Sequence, residues 1–169
     1  VYVKLCELTG SEPFISVNMF SPFKEKYTYY DPLDSIFASQ GERFPQFTDI
    51  QKGAELAAGW VAYCNAPVTN PMGKLRAGQG HPAPFNVKYW ELDNELFRWF
   101  NTPEELANAC VFYSKAMKAV DPAVKLGICT YGKRLSAGVQ VMLDIAGKHI
   151  DFLADRGPST DNVKRKVEL

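Results

Sequence analysis

The stretch Val87-Lys88-Tyr89-Trp90-Glu91-Leu92-Asp93-Asn94-Glu95 begins like a buried strand and ends in a run of acids. Val87, Tyr89 and Trp90 suit a packed, pleated surface. Side chains alternate across a strand, so Glu91, Asp93 and Glu95 share one face and Lys88, Trp90, Leu92 and Asn94 the other. Three carboxyls on one face of an apolar strand are costly unless they are paired, protonated or at a wet end. A helix start follows, with Thr102 as cap, Pro103 at the first helical position and Glu105 completing a capping box. A strand that ends in acids and leads into a helix is how an α/β barrel presents chemistry at its carboxyl-terminal face.

Further alternations lie on either side. Residues 2–9 read as a helix end with Gly10 as its stop. No cap precedes that helix, which predicts that the natural chain extends upstream. Residues 13–19 read as a strand that is apolar on both faces and carries Asn18 near its end. From Thr48 to Asn65 the period is helical, with Ile50, Ala54, Ala57, Val61 and Cys64 on one stripe. Residues 66–86, rich in Pro and Gly, read as a long loop holding Arg76 and His81. The helix after Thr102 buries Leu106, Ala109, Cys110, Tyr113, Met117 and Val120 and ends at Asp121-Pro122. Then come a strand at 124–129, a weaker helix at 135–147, a strand at 150–154 and a charged tail. Alternation of this kind predicts right-handed βαβ units and a parallel sheet. Four strands are half of an eightfold barrel, so the expected fold is a partial parallel (β/α) barrel, with a small doubly wound sheet as the alternative. Residues 1–169 would form a single partial barrel segment, interrupted by an aromatic loop insertion at 20–47 (Phe20, Phe23, Tyr27, Tyr29, Tyr30, Phe37, Phe44 and Phe47). That loop is either a stacking platform for flat ligand faces or a cover for the end of the core.

Composition narrows the partners. Lys+Arg and Asp+Glu both number 19, which argues against a nucleic-acid partner held by phosphate neutralisation. No apolar run reaches the length of a membrane span, so no membrane partner is expected. Val1 to Leu8 does not read as a signal peptide and does not fix the compartment. Cys6, Cys64, Cys110 and Cys129 match no zinc spacing and read as buried free thiols; with His81 and His149 as the only histidines, no metal and no cofactor are expected.

The polar strand ends (Asn18, Asn94-Glu95, Thr130-Tyr131 and Asp155-Arg156) should gather on one edge of the sheet. Glu95 sits where substrate reaches it, with Glu91 and Asp93 deeper on its face. Acids so close cannot all ionise cheaply, and a carboxyl held protonated is what a general acid needs. Glycoside hydrolysis needs two carboxyls, roughly 5–5.5 Å apart for retention. Asn94, Asn18 and Tyr131 are the candidate substrate-binding groups. Glu91, Asp93 and Arg76 are the candidate supporting ones. The bland reading is a structural set of acids paired with Arg76, Arg98 or Lys88.

Tyr89-Trp90-Glu91-Leu92-Asp93-Asn94-Glu95 resembles the YWExGNE signature of glycoside hydrolase family 51 α-L-arabinofuranosidases and their clan A relatives. Leu5-Cys6-Glu7 with Pro13 to Asn18 resembles the family's entry to its third strand, and Trp60-Val61-Ala62-Tyr63-Cys64-Asn65 its WVEYCN helix end. Gly73 to Arg76, Gly80-His81-Pro82, Pro84 and Val87-Lys88-Tyr89 resemble the approach to the fourth strand, and Ile150-Asp151-Phe152 the start of the sixth. The resemblance implies strands three to six of a barrel in a retaining glycosidase of plant cell-wall carbohydrate, with Glu95 as acid/base and Asn94 on the sugar. It places the nucleophile, a Glu ending the seventh strand, beyond Leu169, so that this chain alone is not expected to hydrolyse glycosides. Two departures bear on specificity: Asp93 stands where the family has Gly, and Ala154-Asp155-Arg156 where it has His and Tyr. They leave an endo-β-1,4-glycanase of the same clan, or a non-catalytic carbohydrate-binding barrel module, as alternatives. The open edges of a partial barrel would be covered by remaining barrel segments or by a second copy.

Overall fold

The computed structural model describes residues 2–19, 50–92, 94, 102–130 and 138–155. The elements run α1 (Tyr2–Thr9), β1 (Phe14–Val17), α2 (Ile50–Asn65), α3 (Pro71–Gly78), β2 (Tyr89–Leu92), α4 (Pro103–Val120), β3 (Lys125–Thr130), α5 (Gly138–Ala146) and β4 (Phe152–Asp155). The four strands form one parallel sheet in chain order, β1-β2-β3-β4. Each strand therefore pairs with its sequence neighbour across a helical crossover, the unit from which a (β/α) barrel is built.

Register fixes the two faces. Ser16, Glu91, Gly127 and Phe152 stand side by side in one row. The row between Ile15, Trp90 and Leu126 points the other way, into the helices, where Trp90 and Leu126 are wholly buried. Trp90 is held there by its Nε1–H, which donates to the Val87 carbonyl at 3.0 Å, and by an edge contact with Trp60 of α2 at 6.1 Å. The helix layer packs α2 on α4 and α4 on α5. Its core is Ala54, Ala57, Val61 and Cys64 from α2, Leu106, Cys110, Tyr113 and Met117 from α4, and Val139 and Met142 from α5. Val120, expected inside, is exposed, because α4 ends there and its last turn overhangs the sheet.

The other face is concave. The Phe14 ring on β1 and the Phe152 ring on β4 approach to 5.9 Å between centroids. Three strand spacings in a flat sheet amount to roughly 14 Å, so the sheet must curl for its first and last strands to touch. That curl is the wall of a barrel, and it decides against the open doubly wound alternative.

Residues 66–86 are not one loop. Pro71–Gly78 is a helix, with Asn70 as N-cap accepting from Met72 N–H at 2.9 Å and Pro71 at the first position. Cap and proline are both legible signals. Gly73 and Gly78 masked them in the sequence. Gly73 is required because a Cβ there would come within 2.1 Å of the Pro67 carbonyl oxygen, where the helix crosses the preceding turn. The aromatic stretch 20–47 lies outside the described residues.

Candidate active site

A parallel sheet sends every strand end to the same edge. Here that edge receives Asn18 just past β1, Asn94 just past β2, and the ends of β3 and β4 at Thr130 and Asp155. Asn18 and Asn94 are both exposed there. Asn18 follows directly on the last paired residues, Val17 and Leu92, and lies two positions beyond Ser16, the register partner of Glu91. Glu91 lies deeper, 9% exposed, between Ser16 and Gly127 on the concave face and opposite to Trp90. The alternation read from the sequence holds through Leu92. Asp93, Glu95, Tyr131 and Arg156 lie outside the described residues.

Arg76 does not support the acids. Its side chain is wholly buried at the end of α3. There Nε donates to the His81 carbonyl at 2.9 Å, Nη1 to the Tyr63 and Cys64 carbonyls at 2.7 and 3.3 Å, and Nη2 to the Pro82 carbonyl at 3.2 Å. These partners are the end of α2 and the approach to β2, which is the amino edge of the sheet. Charge-assisted bonds to carbonyls offset the cost of burying the guanidinium. The sequence offered Arg76 as a supporting partner of the acids, but the helix unseen at 71–78 turns it to the opposite end. Lys88 is not aimed at the acids either: its Nζ lies 5.3 Å above the Tyr89 ring.

The same edge carries other polar groups that bind the fold together. Asn65 donates to the Val87 carbonyl at 2.9 Å and to Asp121 Oδ2 at 2.7 Å, and accepts from Val87 N–H at 2.8 Å. Asp151 takes Lys125 on Oδ1 at 3.0 Å, and Lys118 at 2.8 Å with Leu126 N–H at 3.0 Å on Oδ2. Burial pushes the Asp151 carboxyl up, but hydrogen bonds from Lys118, Leu126 N–H and Lys125 outweigh it and hold it at about 2. A cavity of about 990 Å³, lined by Asn65, Asn70, Asn86, Lys88 and Asp121 among others, opens at this edge too. It is far from the acids, and Asn65 and Asp121 are already bonded to each other across it.

All four cysteines are buried, and none is in a disulfide. Burial pushes the Cys110 thiol up to about 12 and the Cys64 thiol up to about 11, the latter against the pull of Arg76. Both are neutral at physiological pH and so are poor nucleophiles. Among the described residues no group of three or more His, Cys, Asp or Glu could hold a metal ion.

A curled parallel β/α sheet whose strands all end at one edge is a segment of an α/β barrel. Comparison with known proteins then gives the family. Residues 1–156 match the model of the alpha-L-arabinofuranosidase 1 domain, and the chain belongs to that family. It is 30% identical over 132 residues to alpha-L-arabinofuranosidase C of Emericella nidulans, covering 76% of this chain and 20% of the relative. It is 28% identical over 114 residues to an intracellular exo-alpha-(1->5)-L-arabinofuranosidase of Bacillus subtilis, covering 61% of this chain and 22% of that protein. Among solved structures it is similar to an alpha-L-arabinofuranosidase from Thermotoga maritima in an arabinose complex, with a TM-score of 0.66 and 28% identity over 91% of this chain and 26% of the other. The chain thus spans about a fifth to a quarter of the length of its relatives.

Proposed function

We propose that this chain supplies the acid/base part of a retaining glycoside hydrolase acting on α-L-arabinofuranosides. Glu95 protonates the leaving oxygen and then deprotonates the attacking water. Asn94 and Asn18 hydrogen-bond the sugar from adjoining strand ends, with Tyr131 beside them. The second carboxylate of the mechanism comes from outside residues 1–169. The observation that carries the reading is the register. It sets Glu91 beside Ser16 in one row of the sheet, below the edge where Asn18 and Asn94 are exposed, in a chain of an arabinofuranosidase family.

The test is turnover of an aryl α-L-arabinofuranoside by the protein that carries this segment. Glu95→Gln should lower kcat by about 10²–10⁴-fold, the usual worth of a positioned general acid. An unchanged rate overturns the assignment. The 169-residue chain alone should give no turnover, and turnover by it would overturn the claim that the second carboxylate lies elsewhere. Hydrolysis of a β-1,4-glucan or xylan in place of the arabinofuranoside would favour the endo-glycanase reading.

A further inference from the structure

The row that holds Glu91 ends in an unusual pair. Gly127 sits mid-strand on β3, where glycine otherwise weakens a sheet. Its neighbour in register is Phe152 of β4. A Cβ on Gly127 would lie 2.1 Å from Cε2 of the Phe152 ring, so the ring occupies the space the missing side chain leaves. From there it reaches across β3. Its centroid lies 6.3 Å from Tyr89 on β2, nearly perpendicular, and 5.9 Å from Phe14 on β1. Phe14 and Tyr89 occupy one register row, two residues below Ser16 and Glu91 toward the amino edge. One ring from β4 therefore closes the concave face under Glu91, and Glu91 is 9% exposed although Phe14 is 41% exposed.

We propose that Phe152, seated over Gly127, is a positioning residue that acts through Glu91: with the rings of Phe14 and Tyr89 it forms a floor that keeps water from beneath the Glu91 carboxyl. The reason is steric: the ring fills the place that Gly127 leaves beside Glu91 and meets the rings of Phe14 and Tyr89 in the row below. Among the described residues the other titratable groups on the face are Tyr89 and Lys125 below and Cys129 on β3. The inference rests on the reading of the β2 acids as the chemical end of the site, since it makes Glu91 a prop for them. Its test does not depend on turnover.

The probe is a water-soluble carbodiimide with an amine nucleophile, which labels carboxyls that solvent reaches, followed by peptide mass spectrometry on the protein that carries this segment. In the parent, Glu91 should label far more slowly than the exposed Glu104. Phe152→Ala removes the ring and leaves a cavity roomy enough for water, and Glu91 labelling should rise about tenfold. Gly127→Ala should do the same by displacing the ring, and the double variant should add nothing to either single one. Phe152→Tyr should restore slow labelling, and Glu104 should label alike in all variants, which separates an opened floor from general unfolding. Equal Glu91 labelling in the parent and in a folded Phe152→Ala variant overturns the proposal, as does additivity of the two single changes. If Phe152→Ala does not fold, Gly127→Ala and Phe152→Leu carry the same comparison. Loss of turnover in Glu95→Gln with no labelling change in these variants would sink the floor and leave the glycosidase reading standing.

Discussion

The two edges of the sheet spend their polar residues differently. At the amino edge Arg76 and Asn65 each satisfy two or more backbone groups, and Asp151 satisfies one along with two lysines, tying α2, α3 and α4 to the strand entries. At the carboxyl edge Asn18 and Asn94 stand exposed above a recessed acid. The difference teaches where to look for each property. Polar groups buried against the backbone hold the chain in place, and polar groups exposed at the strand ends lie where a ligand can reach them. An α/β barrel segregates the two by direction because all its strands point the same way.

Substitutions can break that contrast or sharpen it. Arg76→Met should cost the most, about 3–5 kcal/mol, because buried carbonyls at the end of α2 and at residues 81–82 lose their donors together; urea unfolding would read it, and a loss under 1 kcal/mol would dissolve the contrast. Asn65→Ala should cost about 2 kcal/mol, since Val87 N–H and the Val87 carbonyl both lose a partner at the mouth of β2. The Asp151 clamp should be worth about 1 kcal/mol after solvent screening, with a definite pH signature. Its folded value near 2 lies below the unfolded one near 4. The contribution is therefore full above about pH 4 and drains away as pH falls toward 2. Asp151→Asn should flatten that limb in an acid-unfolding series, and an unaltered limb would remove Asp151 from the account. Asn94→Ala should change stability by no more than about 0.5 kcal/mol, since the side chain is exposed. A large loss there would mean that the carboxyl edge is also structural.

Much of this was legible in the chain itself. The period-two pattern of 87–92 placed Glu91 opposite Trp90, and burial agrees. Thr102 caps α4 as its spacing predicts, accepting from Glu105 N–H at 3.1 Å. Gly10 ends α1 in the left-handed conformation, with φ of 68°. Short elements under competing signals were not legible. The helix at 71–78 has a good cap but two glycines and a weak stripe, so composition outvoted it. Arg76 was misplaced with it, because a residue's end of the barrel depends on which helix carries it. The pairing of Gly127 with Phe152 needs the β3–β4 register, which no local pattern contains. A mid-strand glycine was the one clue that something fills its place.

The plain sequential order of the strands carries a consequence for how the molecule assembles. Closing β3 onto β4 spans about 25 residues, β2 onto β3 about 36, and β1 onto β2 about 75, so the last closure costs roughly 1 kcal/mol more chain entropy than the first. The later three strands should zip together before β1 docks on them, although β1 leaves the ribosome before they do. Until β2 is made, β1 waits without that neighbour, and its apolar Ile15 and Val17 are residues a chaperone would meet.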